Sequence, residues 1–559
     1  MRHFFRLLIC VSFAFHFPLS TLHSQELPQG YFGSPLKGGL GLSATFAESR
    51  IGHFHAGLDI RTGGAVGLPV LAVADGEVSR VSVSPWGGGK ILYIKHPNGY
   101  TSVYMHLDGY AGAIGRWVKE QQYKAQSFSI AVDVPEGLLP VRKGETVAFS
   151  GNSGGSAGPH LHFELRETAT GRTINPLRFG LPYSDSMKPV IRGLRIYPMG
   201  GQGDRRGYEV GNDNVATVDG PFCLGIYATD AAEGSTPKNG VDRIEIYLDG
   251  ELFYMYSTES FVLDDSRVVN ALVDYQLFEA RRQGYLLTRA LPGAEGEWVP
   301  VRQGDGIFRF KPLSVHEIQV KAYDIKGNCA ERTVTVRCTA TATTATARAT
   351  TDGKAVRHSE NISLKHPAFS AELPPYCLYA DDRLATSCRM DAAYLSPLCT
   401  IEPIINRIPP HSHYRINIKG AVPQGIDPAK VTVVRINGKR VNAYKTTCEG
   451  GYYSASVRDF GTFALLADTT APTVRAVNFS ESKPLKTKTL RIKIGDNLAG
   501  IETYNCYLNG KWVLAEYDGK STTLTIDTTG KLQAGKNSLR VEVADGCGNL
   551  TRRTFTLTR

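Results

Sequence analysis

Over most of the chain, apolar and polar residues alternate with a period of two. Arg332-Thr333-Val334-Thr335-Val336 and Arg553-Thr554-Phe555-Thr556-Leu557 read this way, the pattern of strands with one buried face, and Lys90-Ile91-Leu92-Tyr93-Ile94-Lys95 is a short β-like run. Turn pairs such as Asp249-Gly250 and Asn509-Gly510 separate such runs and suit tight hairpins. The pattern predicts an all-β protein, with a Gly-rich antiparallel β domain first and β-sandwich (Ig-like) modules after it.

An internal repeat sets the module plan. Gly240-Val241-Asp242-Arg243-Ile244-Glu245-Ile246-Tyr247-Leu248-Asp249-Gly250 resembles Gly500-Ile501-Glu502-Thr503-Tyr504-Asn505-Cys506-Tyr507-Leu508-Asn509-Gly510. Further on, Tyr323-Asp324-Ile325-Lys326-Gly327-Asn328 resembles Ala544-Asp545-Gly546-Cys547-Gly548-Asn549. The expected boundaries are a first domain over 25–183, an Ig-like sandwich over 187–337 with an insertion, a linker over 338–356, a β-rich module over 357–468 and a second Ig-like sandwich over 469–559. The linker is almost pure Ala and Thr between 339 and 351 and cannot build a core. With its own strands and turns, the tail from about residue 186 is expected to fold apart from the first domain.

Composition and charge narrow the class. The 559 residues include 58 Gly and 26 Tyr but only 6 Met and 4 Trp, a composition of strands and turns. A basic start, Met1 to Arg6, precedes an apolar run from Leu7 to Leu19 and a small residue at Ser24. This is the order of a signal peptide over 1–24, so the expected location is exported, in the periplasm or at the cell surface. No later apolar run is long enough to span a membrane. The mature chain would carry +8, the +10 of the whole chain less Arg2 and Arg6. Its basic residues are scattered, which argues against a nucleic-acid partner. Nine cysteines follow Cys10, so at least one thiol has no intrachain partner.

Chemistry concentrates in the first domain. Six of the eleven histidines beyond residue 24 lie there, at 53, 55, 96, 106, 160 and 162. His160 and His162 are i and i+2 on a strand, so they share a face about 6–7 Å apart. His55 and Asp59 would be ~13 Å apart on a flat strand, and Gly57 between them could supply a bend. Imidazole and carboxylate together suit a catalytic zinc, which takes three protein ligands and keeps one open position. His411-Ser412-His413 follows Pro409-Pro410 with no further ligands nearby and is expected to be structural, as is His96 beside its Pro-Asn-Gly turn. His53 is expected to pack or to support its neighbour His55.

Taken together, these residues resemble the lysostaphin-type (LytM-like) zinc metallopeptidases that cut peptidoglycan peptides. The likeness rests on His55-x-Gly57-x-Asp59, Ala72-Val73-Ala74-Asp75-Gly76-Glu77-Val78, His96-Pro97-Asn98-Gly99, Tyr104-x-His106-Leu107, Lys143-Gly144, Ser150-Gly151-Asn152-Ser153-Gly154, Gly158-Pro159-His160-Leu161-His162-Phe163-Glu164 and Asn175-Pro176. It covers about residues 45–180. The resemblance implies one Zn2+ per chain held by His55, Asp59 and His162. His106 and His160 would be the catalytic residues flanking the water, and peptidoglycan would be the substrate. Some relatives are kept latent by an upstream Asn; residues 25–53 contain none, so that latency is not expected.

The chain departs from the family in a longer connection, about 109–140, expected to be a lid, a wall of the groove, or a hairpin away from it. Two other functions compete with an exported zinc endopeptidase. One is a catalytically inactive scaffold or activator of another cell-wall hydrolase, a class that usually loses metal ligands; none is missing here. The other is an adhesin-like surface protein, whose C-terminal modules would bind other cell-envelope proteins.

Overall fold

The computed structural model describes residues 27–199, 207–231, 239–294, 301–302, 304–340 and 352–559. Residues 1–24, expected to be a signal peptide, and most of the Ala/Thr linker lie outside these residues. The described chain is mostly β-strand, in several antiparallel sheets.

The first domain is built on β1 (Leu42–Ala44), β2 (Leu58–Arg61), β3 (Gly76–Val83), β4 (Lys90–Lys95), β5 (Tyr100–Met105), α1 (Gly112–Ala125), β6 (Ile130–Asp133) and β7 (His160–Glu167). The central sheet runs β1-β2-β7-β5-β4-β3-β6, all neighbours antiparallel. Its apolar face carries Leu58, Ile60, Leu92, Ile94, Leu161, Phe163 and Leu165, each no more than 1% exposed. Because side chains alternate across the pleat, that buried face leaves Asp59, His160 and His162 together on the other. Register aligns them further: His162 lies opposite Asp59 on one side and Met105 on the other.

The later modules each place two sheets around one core. In the second module, Val190–Pro198 and Phe222–Thr229 belong to a four-stranded sheet, and Arg243–Leu248, Val315–Tyr323 and Cys329–Cys338 to a six-stranded one. The last module has two four-stranded sheets, one ordering Ile501–Leu508, Lys536–Asp545 and Leu550–Thr558. The three repeated segments therefore pair in the same order in both modules. Residues 354–468 form six- and five-stranded sheets between them.

Two expectations concern how the first domain meets its neighbours. The first is the insertion 109–140: of the arrangements expected for it, the structure favours one away from the histidine cluster. Its strand β6 extends the sheet beyond β3, four strands or ~19 Å from β7. Its other half is α1, whose buried Ile114, Val118 and Gln122 form one face. Helical spacing was masked there by Gly112 and Gly115, and by a polar composition. The helix packs on the last module, where Tyr123 meets Trp512 edge-on with ring centroids 5.3 Å apart.

The second is the independence of the tail, and shared cores weigh against it. The hairpin of Ser49–Arg50 and His53–Phe54 sends Phe54 into the second module's core, beside Phe261. Thr173–Ile174 pairs with Ser260–Phe261 across the same boundary. On the other flank, Ile114 and Val118 join Leu490, Ile526 and Leu539 in a single apolar cluster. A fragment ending at 183 would expose all of these faces. We expect residues 25–183 alone to bind an apolar-surface dye and to lack the sharp thermal transition of residues 25–559. A fragment that melted sharply at the temperature of the longer chain would contradict this.

Candidate metal centre

The cluster is assembled from strand, bend and loop. Asp59 and His162 face each other across the β2–β7 pair, with Asp59 Oδ1 2.9 Å from His162 Nδ1. His55 lies outside β2, and its Nε2 is 3.0 Å from both Asp59 Oδ1 and His162 Nδ1. Gly57 makes that path possible. A Cβ there would lie 2.2 Å from the Phe163 carbonyl oxygen, so only glycine lets the chain pass so close to β7. All three residues are buried, His55 at 1% exposure, His162 at 7% and Asp59 at 8%.

Each ring nitrogen facing the cluster carries a lone pair, because the opposite nitrogen is tied to an acceptor. His55 Nδ1 donates to the Thr45 carbonyl at 2.7 Å. His162 Nε2 donates to Glu164 Oε1 at 2.8 Å. With Asp59 Oδ1, that leaves three electron-pair donors within 3.0 Å of one another. Three buried donors repel unless a proton or cation lies among them. Ligands around a tetrahedral zinc at 2.0–2.1 Å stand ~3.3 Å apart, so a small contraction of a zinc shell describes this group. The donor set fits the metal.

The electrostatics favour charge balance at this point. Burial depresses the His55 pKa to about 4, even though Asp59 favours its charged form. Burial also disfavours charge on His162, but Asp59 and Glu164 overcome it and raise its pKa to about 9. Burial alone would raise the Asp59 pKa, yet the close imidazoles of His160, His162 and His55 hold it far below the ordinary carboxylate value.

His106 and His160 complete the cluster. His106 ends β5 with φ 61°, a left-handed conformation uncommon for a side chain of this size. Its Nδ1 donates to the Ser153 carbonyl at 2.9 Å, and burial lowers its pKa to about 4. His160 Nδ1 donates to the Gly158 carbonyl at 2.9 Å, and its Nε2 is 3.4 Å from Asp59 Oδ1. The two rings are 4.8 Å apart. Both therefore keep Nε2 free to accept a proton.

The structure thus gathers His55, Asp59, His106, His160 and His162 into one cluster. His53 stays exposed and outside it. His96 is a packing residue, bonded to the Asp75 carbonyl and Ser102. His411 packs on Tyr379. Two contributors escaped sequence reasoning. Glu164, 1% exposed, orients His162 and is itself held by Arg166 at 2.5 Å. The period-two run His160, His162, Glu164, Arg166 carried that signal. Arg50 binds Asp59 Oδ2 at 2.7 Å, which leaves Oδ1 for the histidines; nothing local in the sequence indicated it.

Residues 53–133 match the Peptidase family M23, and residues 354–468 match a Zu5-like domain. An uncharacterized metalloprotease of Haemophilus influenzae is 33% identical over 168 residues, 29% of this chain and 30% of that protein. The DD-carboxypeptidase/endopeptidase Mpg of Neisseria meningitidis serogroup B is 32% identical over 128 residues, 23% of each chain. The murein hydrolase activator NlpD of Escherichia coli is 33% identical over 135 residues, 24% of this chain and 28% of that one. The chain thus spans less than a third of the length of these relatives. Among solved structures, the catalytic domain of the prophage-encoded M23 protein EnpA of Enterococcus faecalis is 26% identical. That match covers 28% of this chain and 98% of that one, with a TM-score of 0.20. The lysostaphin catalytic domain of Staphylococcus simulans is 23% identical over 25% of this chain and 91% of that one, with a TM-score of 0.19. The chain carries a Peptidase M23 domain with lysostaphin-type relatives.

The Glu164 contact generates a prediction. Carboxylates that orient a ligating histidine typically add 10–100-fold to metal affinity. Glu164→Gln should keep the fold and weaken zinc binding by roughly that factor, read by competition with a chromogenic chelator. Unchanged affinity would show that Glu164 serves packing alone.

Proposed function

We propose that the protein is an exported zinc endopeptidase that hydrolyses peptide bonds in peptidoglycan stems or cross-links. The observation that carries this reading is the convergence of three lone-pair donors from His55, Asp59 and His162, flanked by the free Nε2 atoms of His106 and His160. The relatives named as a DD-carboxypeptidase/endopeptidase and as a murein hydrolase activator support the substrate class. Among the described residues no helix is long and apolar enough to cross a membrane.

In this reading His55, Asp59 and His162 hold one zinc ion. Zinc supplies Lewis acidity, polarising a carbonyl and acidifying water near neutral pH. His106, kept neutral by burial, accepts a proton at Nε2 during attack. The Ser153 carbonyl fixes its ring and the identity of the basic nitrogen. His106, once protonated, returns that proton to the leaving amine, and His160, steadied by the Gly158 carbonyl and facing the same space, helps polarise the attacking water through its free Nε2. The likeness to NlpD favours a second reading, activation of another cell-wall hydrolase without cutting.

Mass analysis of purified peptidoglycan incubated with residues 25–559 separates the two readings. New peptide termini indicate a peptidase; binding without products indicates an activator. His162→Ala should lose zinc and activity together, since two protein ligands rarely retain a catalytic ion. His106→Ala should keep stoichiometric zinc while turnover falls by roughly 10²–10⁴. Zinc retained in the first variant, or lost in the second, would reverse the roles.

A further inference from the structure

Outside the histidine cluster, two further groups of three acids converge. Asp185, Asp230 and Asp324 each offer an oxygen within 4.8 Å of the others, as do Asp468, Asp496 and Asp545. Both groups occupy the same places in the repeated modules. Asp185 precedes the strand Val190–Pro198 by five residues, and Asp468 precedes Thr473–Ala476 by five. Asp230 follows Phe222–Thr229, and Asp496 follows Thr489–Gly495. Asp324 and Asp545 open the paired Asp-x-x-Gly-Asn turns.

The surrounding bonds repeat as well. Asn328 Nδ2 donates to Asp324 Oδ2 at 2.7 Å and to the Asp185 carbonyl at 3.2 Å. Asn549 Nδ2 donates to Asp545 Oδ2 at 2.7 Å and to the Asp468 carbonyl at 2.8 Å. Asp324 Oδ1 accepts the backbone N–H groups of Lys326 and Asn328, and Asp545 Oδ1 those of Cys547 and Asn549.

What these bonds do not satisfy is the middle acid. Asp230 is 3% exposed, yet its Oδ1 has no hydrogen-bond partner, and in the half-buried Asp496 the Oδ1 atom is also shielded from solvent and unpartnered. A buried carboxylate oxygen left unpaired is costly, and here the same oxygen position is left so twice. None of the six acids forms an ion pair among the described residues. Burial, with Asp185 and Asp324 alongside, pushes the Asp230 pKa up to about 7, so the group is uncomfortable without a positive charge.

We infer that each triad binds a calcium ion, and that these ions tie the second and last modules to the segments that precede them. All-oxygen donors select a hard cation, and calcium, which takes six to eight oxygens in flexible geometry, suits a site of three carboxylates on separate segments better than magnesium, which demands a near-ideal octahedron. Each site takes its first acid from the joint before the module and the other two from the module itself. An ion there therefore fixes the angle at the joint.

Calorimetric titration of zinc-loaded residues 25–559 with Ca2+ up to the millimolar range, where extracellular calcium modules bind, tests this. We expect two ions per chain, one in Asp230→Asn and none in Asp230→Asn/Asp496→Asn, with zinc content unchanged throughout. Calcium should raise the Tm of the parent by several degrees and leave that of the double variant unmoved. In calcium-free buffer Asp230→Asn should melt above the parent, because it relieves repulsion; a residue serving only the fold would melt below it. Absence of binding heat and of any Tm shift in the parent, or equal stoichiometry in the double variant, would overturn the assignment.

Discussion

Everything at the candidate centre depends on holding three mutually repelling electron-pair donors within 3.0 Å of one another inside the protein. No strand pair does this unaided. The β2–β7 register supplies Asp59 and His162, but His55 arrives only because the chain bends at Gly57 against the Phe163 carbonyl. Each donor is then locked from behind: His55 by the Thr45 carbonyl, His162 by Glu164 and Arg166, and Asp59 by Arg50 on its other oxygen. These contacts decide which nitrogen presents a lone pair, which is a chemical property as much as a geometric one.

The modules that follow brace this arrangement. Thr45 Oγ1 and Gly240 bond to each other across the boundary with the second module, beside the carbonyl that orients His55. On the opposite flank, Lys520 of the last module donates to the backbone carbonyls of Asn152 and Ser156, in the loop whose Ser153 and Gly158 carbonyls hold His106 and His160. Lys90 and Glu516 add an ion pair at 2.7 Å along the same contact. The first domain is therefore packed against the second and last modules, and these contacts reach the loops at the cluster.

The insertion shows how a local reading can leave a segment's packing surface open. Its apolar residues indicated that it packs, and it does, but on the last module and at the far edge of the central sheet. A segment leaving beside His106 can travel either way over the domain. The partner face made by Trp512 and Lys531, some four hundred residues later in the chain, decides which.

The amino-acid sequence by itself determined the all-β class, the repeated modules and the five side chains that meet at the candidate centre. The class and the modules rest on short-range rules, alternation across the pleat and turn chemistry; spacing paired His160 with His162, and the full set of five rested on the resemblance to the LytM-like zinc metallopeptidases. His411-x-His413 has the same spacing, and its lack of nearby ligands was also legible. Only the tertiary structure decided that Glu164 and Arg50 serve the cluster, that α1 is a helix facing the last module, and that Phe54 belongs to a neighbouring core. Their partners lie elsewhere in the chain, or on a strand whose register no local pattern sets. The free energy of such contacts depends on how whole sheets come to lie against one another, which no window of sequence contains.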